Sequence, residues 1–115
     1  MSSGMGVAKQ VVCPQRAMRI MSVKVDGTGT AALSGTCSLN MALTDSGTGD
    51  YLLTFNIPYL RAPEVIVTPI TDNIVCKLGT VAVGSVQILS ENLSGSATDA
   101  DFHVIILGSD TVDQI

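Results

Sequence analysis

The one histidine, His103, is the natural starting point for acid–base or nucleophilic chemistry. It sits inside the apolar run Phe102-His103-Val104-Ile105-Ile106-Leu107. A general base needs a nucleophile within hydrogen-bond reach, and no serine stands in a Gly-x-Ser-x-Gly elbow. His103 therefore reads as a sheet-surface or interface residue. The three cysteines, Cys13, Cys37 and Cys76, are scattered with no Cys-x-x-Cys pair and no neighbouring histidine, which argues against a zinc site. Cys76 lies in an apolar alternation and reads as a small core residue. Asp99 and Asp101 at i, i+2 could share a calcium ion, but no run of oxygen ligands follows, so they read as turn caps. Asp45 and Asp50 bracket a glycine-rich loop and read the same way. Gly27-Thr28-Gly29 and Gly47-Thr48-Gly49 suggest phosphate loops, yet each leads into a strand rather than a helix, and no lysine follows closely. The expectation is no enzyme: no catalytic residue, no cofactor and no metal.

The elements that would position these residues are β-strands. The chain has 115 residues, 46% apolar but only 3% aromatic, with two Tyr, two Phe and no Trp. Charged residues are 14%, too few for a disordered chain or a coiled coil. Period-two alternation begins at Arg19, where Met21, Val23 and Val25 oppose Ile20, Ser22 and Lys24. Asp26-Gly27-Thr28-Gly29 reads as a turn. Thr30–Met41 reads as a second strand with a bulge at Gly35, and 44–49 as a loop. Asp50–Ile57 is the clearest strand, with Tyr51, Leu53, Phe55 and Ile57 on one face and Pro58 as its stop. Further strands fall at Glu64–Ile70, with Pro69 marking an end or an edge, at 74–78, at Ser85–Ser90 and at Asp101–Leu107.

This pattern predicts an all-β fold, an antiparallel β-sandwich or jelly roll of seven to eight short strands. An extended basic arm (1–18) precedes the sandwich (19–108), and a tail (109–115) follows it. The expected core is Tyr51, Leu53, Phe55, Ile57, Val65, Val67, Val86, Ile88, Phe102, Val104 and Ile106. Glu64–Ile70 and Asp101–Leu107 are apolar on both faces, so one face needs a cover beyond the core, and a neighbouring subunit is the economical one. A core poor in aromatics adds to the case for a homo-oligomer.

The formal net charge of −4 hides an asymmetry. Lys9, Arg16, Arg19 and Lys24 give the first 24 residues +4 with no acid. The remainder sets Arg61 and Lys77 against all ten acids, −8 in sum. Such a division suggests a charged partner surface. The leading segment lacks the pattern of a signal peptide, and no apolar stretch is long enough for a membrane span. Four cations without interleaved aromatics do not make a nucleic-acid site.

Read in order, Asp26-Gly27-Thr28-Gly29, Gly49-Asp50-Tyr51-x-x-x-Phe55, Pro58, Ala62-Pro63-x-Val65-x-Val67-Thr68-Pro69 and Ala100-Asp101-Phe102-x-Val104-x-Ile106-x-Gly108 resemble small β-sandwich domains of tailed-bacteriophage virion proteins. These include capsid decoration proteins, head fibres or knobs, and tail-fibre tips. The resemblance spans Val25 to Gly108 and rests on turn-and-strand grammar. It implies a non-enzymatic virion protein on the capsid exterior, made in the bacterial cytoplasm, homotrimeric, with the major capsid protein as its partner. Lys9, Arg16, Arg19 and Lys24 are the expected anchors to the shell. One small domain with a short arm, and no long shaft, favours a head decoration or head fibre. The alternative is a tail-fibre or baseplate tip binding a host-surface glycan or protein through loops such as 92–99 or 45–50. Tyr51 and Tyr59 are the aromatics available to stack on a sugar.

Overall fold

A computed structural model describes residues 18–110. The elements are β1 (Met18–Asp26), β2 (Ala32–Ser34), β3 (Met41–Gly47), β4 (Asp50–Phe55), β5 (Glu64–Pro69), β6 (Ile74–Val81), β7 (Ser85–Asn92) and β8 (Phe102–Ser109). They form two four-stranded antiparallel sheets, β2-β1-β8-β5 and β3-β4-β7-β6, packed as a β-sandwich. Hairpins join β1 to β2, β3 to β4 and β6 to β7, while the other connections cross between sheets. β1 and β8 pair over eight residues, from Met18 opposite Ser109 to Val25 opposite Phe102, so the two ends of the described chain lie side by side.

Alternation along each strand fills the core from both sheets. Met21, Val23 and Val25 face inward from β1, and Phe102, Val104 and Ile106 from β8. Tyr51, Leu53 and Phe55 of β4 and Val86 and Ile88 of β7 meet them. An aromatic pair closes each end of this aliphatic centre. Tyr51 meets Phe102 edge-on with ring centroids 5.3 Å apart, and Phe55 meets Tyr59 at 5.4 Å. Val65 and Val67 pack on the core but stay half-exposed, because β5 is the outermost strand of its sheet. Pro69 ends that strand, as expected of an edge.

Three expectations are corrected. Ile57 is not a core residue: β4 ends at Phe55, the chain bends away, and Ile57 is 56% exposed. Tyr59 takes the buried place that alternation assigned to it. Thr30–Met41 is not one strand. After the three residues of β2 the chain turns back on β1, where the Cys37 amide donates to the Ser22 carbonyl at 3.0 Å, and a 3-10 turn follows at Ser38–Asn40. Residues 44–47 are not loop but the end of β3, where the register slips between Asp45 and Gly47.

Candidate functional site

Polar residues converge at one end of the sandwich, from the turns after β1 and before β4 and from the segment leading into β8. The Tyr51 hydroxyl, set at the start of β4, donates to Asp99 Oδ1 at 3.0 Å and lies 3.3 Å from the Gly27 carbonyl. It accepts the Ala100 amide at 3.4 Å. Asp99 Oδ1 also accepts the Gly49 amide at 2.8 Å. Two residues on, Asp101 Oδ1 accepts the amides of Gly27 (2.9 Å) and Thr28 (3.3 Å) and the Thr28 hydroxyl (3.2 Å). The Asp101 amide donates to Thr71 Oγ1 at 2.9 Å, and buried Ser90 donates to the Thr98 carbonyl at 2.6 Å. The 96–101 segment is thus strapped across the turns of both sheets.

Local sequence explains the geometry. A Cβ at Gly27 would fall on the Tyr51 hydroxyl and the Ala100 carbonyl, so only glycine lets them approach. Gly49 turns the β3–β4 hairpin at φ +65°, with its missing Cβ facing the Ser90 carbonyl. Burial raises the Tyr51 phenol pKa to about 12, and the bond to Asp99 adds to the rise against the lowering effect of the Ala100 amide. These contacts place each aspartate's Oδ1 on donors of the protein itself. They cap turns, as the sequence suggests, but Asp101 caps a turn 74 residues away. No group of three or more His, Cys, Asp or Glu able to hold a metal occurs among the described residues.

The opposite end is built on Arg19 and Tyr59. The Arg19 guanidinium lies over the Tyr59 ring, 4.0 Å from its centroid. It donates to the Ile57 carbonyl at 2.7 Å and lies 3.5 Å from Asp110. The Tyr59 hydroxyl reaches the carbonyls of Arg19 and Ile106, both at 3.4 Å. Burial raises the Tyr59 pKa, and Arg19 partly offsets the rise.

Arg19 and Lys24 therefore do not form one basic patch. Arg19 shares the inward parity of Met21 and Val23, whereas Lys24 points outward from the sheet and pairs with Asp26 at 3.3 Å. Lys9 and Arg16 lie outside the described residues, as does Cys13.

The outer face of the β2-β1-β8-β5 sheet carries Ile20, Ile66, Ile105 and Leu107, outward-facing and adjacent in register. His103 stands exposed at its margin, beside Lys24 and Thr68. A shallow groove there is lined by Ser22, Lys24, Thr36, His103 and Ile105. No cysteine or acid lines it. Cys37 and Cys76 are free thiols, both half-buried, and burial raises the Cys76 pKa, away from the reactive thiolate.

All four aromatic residues are buried, Tyr51, Phe55, Tyr59 and Phe102 alike. Sequence periodicity missed Tyr59, which lies between strands, and Ser90. Ser90 continues the inward alternation of Val86 and Ile88, and its polarity conceals it, whereas no strand pattern marks Tyr59, whose burial comes from neighbours distant in sequence. Compared with protein-family models, curated proteins and solved structures, the chain matches none of them.

Proposed function

We propose that the chain is a non-enzymatic structural protein of a tailed-phage virion. Its role in this reading is capsid decoration or a head fibre, bound to the outer shell as a homo-oligomer. Three copies are the form that the resemblance implies. The observation that carries the structural reading is the pairing of a turn-strapped sandwich with an uncovered aliphatic sheet face. Gly27, Thr28, Gly49, Tyr51, Ala100 and Asp101, from three of the segments quoted for the resemblance, meet in that strap, which gives those residue types a physical reason. A short scaffold tied at both ends suits a module that must survive outside a cell. Its formal net charge of −4 favours solubility there.

The anchor in this reading is the leading segment with Lys9 and Arg16, facing an acidic surface of the major capsid protein, while Lys24 is held by Asp26 at 3.3 Å. Arg19 is better read as a structural residue, given its contacts with Tyr59 and Ile57. Three of the four cations among the described residues, Arg19, Lys24 and Lys77, already lie within 3.5 Å of a carboxylate. That arrangement offers little to a nucleic-acid backbone. The alternative of a glycan-binding tail tip loses its stacking residues, since Tyr51 and Tyr59 are buried.

The test removes residues 1–17, which leaves β1 intact from Met18, and measures co-sedimentation with the phage's shells. The full chain is expected to co-sediment and the truncated chain to remain in the supernatant. Equal binding by both would refute the role given to the arm. Failure of the full chain to bind any shell would refute the decoration reading.

A further inference from the structure

Cross-strand register makes the outer face of the β2-β1-β8-β5 sheet a grid of neighbouring side chains. Ile20, Leu107 and Glu64 form one row across β1, β8 and β5. Ser22, Ile105 and Ile66 form the next, and Lys24, His103 and Thr68 the third. The apolar members are substantially uncovered: Ile20 is 60% exposed, Ile66 51% and Ile105 40%. The outer face of the other sheet differs, because polar partners cross it. Gln87 donates to Asp50 at 3.0 Å, and Lys77 pairs with Glu91 at 2.8 Å.

We infer that this aliphatic face receives a second copy of the same chain. The two copies are related by a two-fold axis along the Ile20–Ile105–Thr68 diagonal of the grid. The inference rests on the homo-oligomer reading above, names its surface, and sets a two-fold pair in place of the three copies that the resemblance implies. Lys24 and Glu64 occupy the two corners off that diagonal. A half-turn about the diagonal carries Glu64 of one copy to the Lys24 side of the other, offset by about 6 Å along the axis because the grid is not square; the two flexible side chains bridge that gap, and the contact forms twice. Ile20 and Ile105 lie on the axis and meet their own equivalents, as an isologous interface requires. Leu107 covers Ser22, and Ile66 covers the His103 ring. Asp26 holds Lys24 through one contact at 3.3 Å, and the ammonium has further protons for a second carboxylate.

Strand spacing of about 4.8 Å and a two-residue step of about 6.8 Å put the diagonal roughly 35° from the strands. The strands of the two copies then cross at about 70°, close to the orthogonal class of sheet packing. A three-fold contact fits the grid less well. It sets the β1 side of one copy against the β5 side of the next with strand directions kept, which levels Lys24 with Thr68. Sliding the copies until Ile20 meets Ile66 carries Lys24 still farther from Glu64. The face spans roughly 500 Å² in projection, below the ~800 Å² per partner of a standard interface. The expected pair is accordingly a reversible one of micromolar affinity.

Sedimentation equilibrium of the full chain tests this, with circular dichroism to confirm that each variant folds. The expected limiting mass is twice the 11.9 kDa of one chain. Lys24→Glu alone and Glu64→Lys alone should each weaken association about tenfold or more, because each sets like charges face to face. The double exchange should restore it, and Ile105→Arg should abolish it. A three-copy mass, a monomer at every concentration, or single exchanges that change nothing would each overturn the inference. A monomer that still co-sediments with shells would sink this inference and leave the decoration reading standing. A charge-sensitive pair that ignores shells would do the reverse.

Discussion

Removing one oxygen from the buried strap, by Tyr51→Phe, should cost the protein about 2–3 kcal/mol. The ring and its edge-on contact with Phe102 stay in place, so packing changes little. What goes is the 3.0 Å bond to the Asp99 carboxylate, with a charged acceptor worth roughly 1.5–3 kcal/mol. The buried Ala100 amide also loses its acceptor at 3.4 Å, and the Gly27 carbonyl its polar neighbour. Urea unfolding is the assay. With a slope of ~1.5–2 kcal/mol per molar for a domain of this size, the midpoint should fall by about 1–2 M. An alkaline titration adds an independent reading. The folded-state pKa of Tyr51 is raised to about 12 from the ordinary phenol value of 10.0, so the folded protein holds the phenolic proton more tightly than the unfolded chain. That stabilisation is complete below pH 10 and is lost as pH climbs toward 12. Tyr51→Phe should therefore be less stable than wild type at pH 7, with the gap narrowing between pH 10 and 12. A midpoint unchanged at neutral pH, or a gap that stays constant up to pH 12, would refute the assignment of Tyr51 as the buried hub.

Other outcomes follow from the same contacts. Asp101→Asn keeps an oxygen for the Gly27 and Thr28 donors and should cost under about 1 kcal/mol, whereas Asp101→Ala should cost about 2 kcal/mol, both by urea midpoint. Arg19→Ala should destabilise by about 1–2 kcal/mol through loss of the Tyr59 stacking and the Ile57 carbonyl bond. Arg19→Lys should recover less than half of that, since an ammonium lacks the planar fork. Gly49→Ala combines a left-handed backbone with a collision against the Ser90 carbonyl, and thermal melting should show a loss larger than for Gly84→Ala, where nothing lies within 4 Å. Maleimide labelling at pH 7 should proceed far more slowly at Cys76 in the native protein than in urea, because its thiolate is disfavoured by burial.

The sequence by itself determined the fold class and most of the core. Alternation is a property of neighbouring residues, so Tyr51, Leu53 and Phe55 fall on one face of a strand wherever that strand goes. The same logic placed Val86, Ile88, Phe102, Val104 and Ile106 inside. It failed at Ile57, because where a strand stops depends on its pairing partner, and β7 pairs with β4 only as far as Thr54. Tyr59 has no strand of its own, and only the packing of Phe55, Arg19 and Ile106 around it creates its buried place. The four cations near the start looked alike as a charge count. Strand parity separated Arg19, which stacks on a core tyrosine, from Lys24, which faces outward. Asp99 and Asp101 were readable as turn caps, but the turns they cap lie about 50 and 74 residues away in sequence. Only the tertiary structure could make those pairings, because the register of β8 on β1 and β5 decides which side chains become neighbours. That register also gathered isoleucines from three distant segments onto one open face.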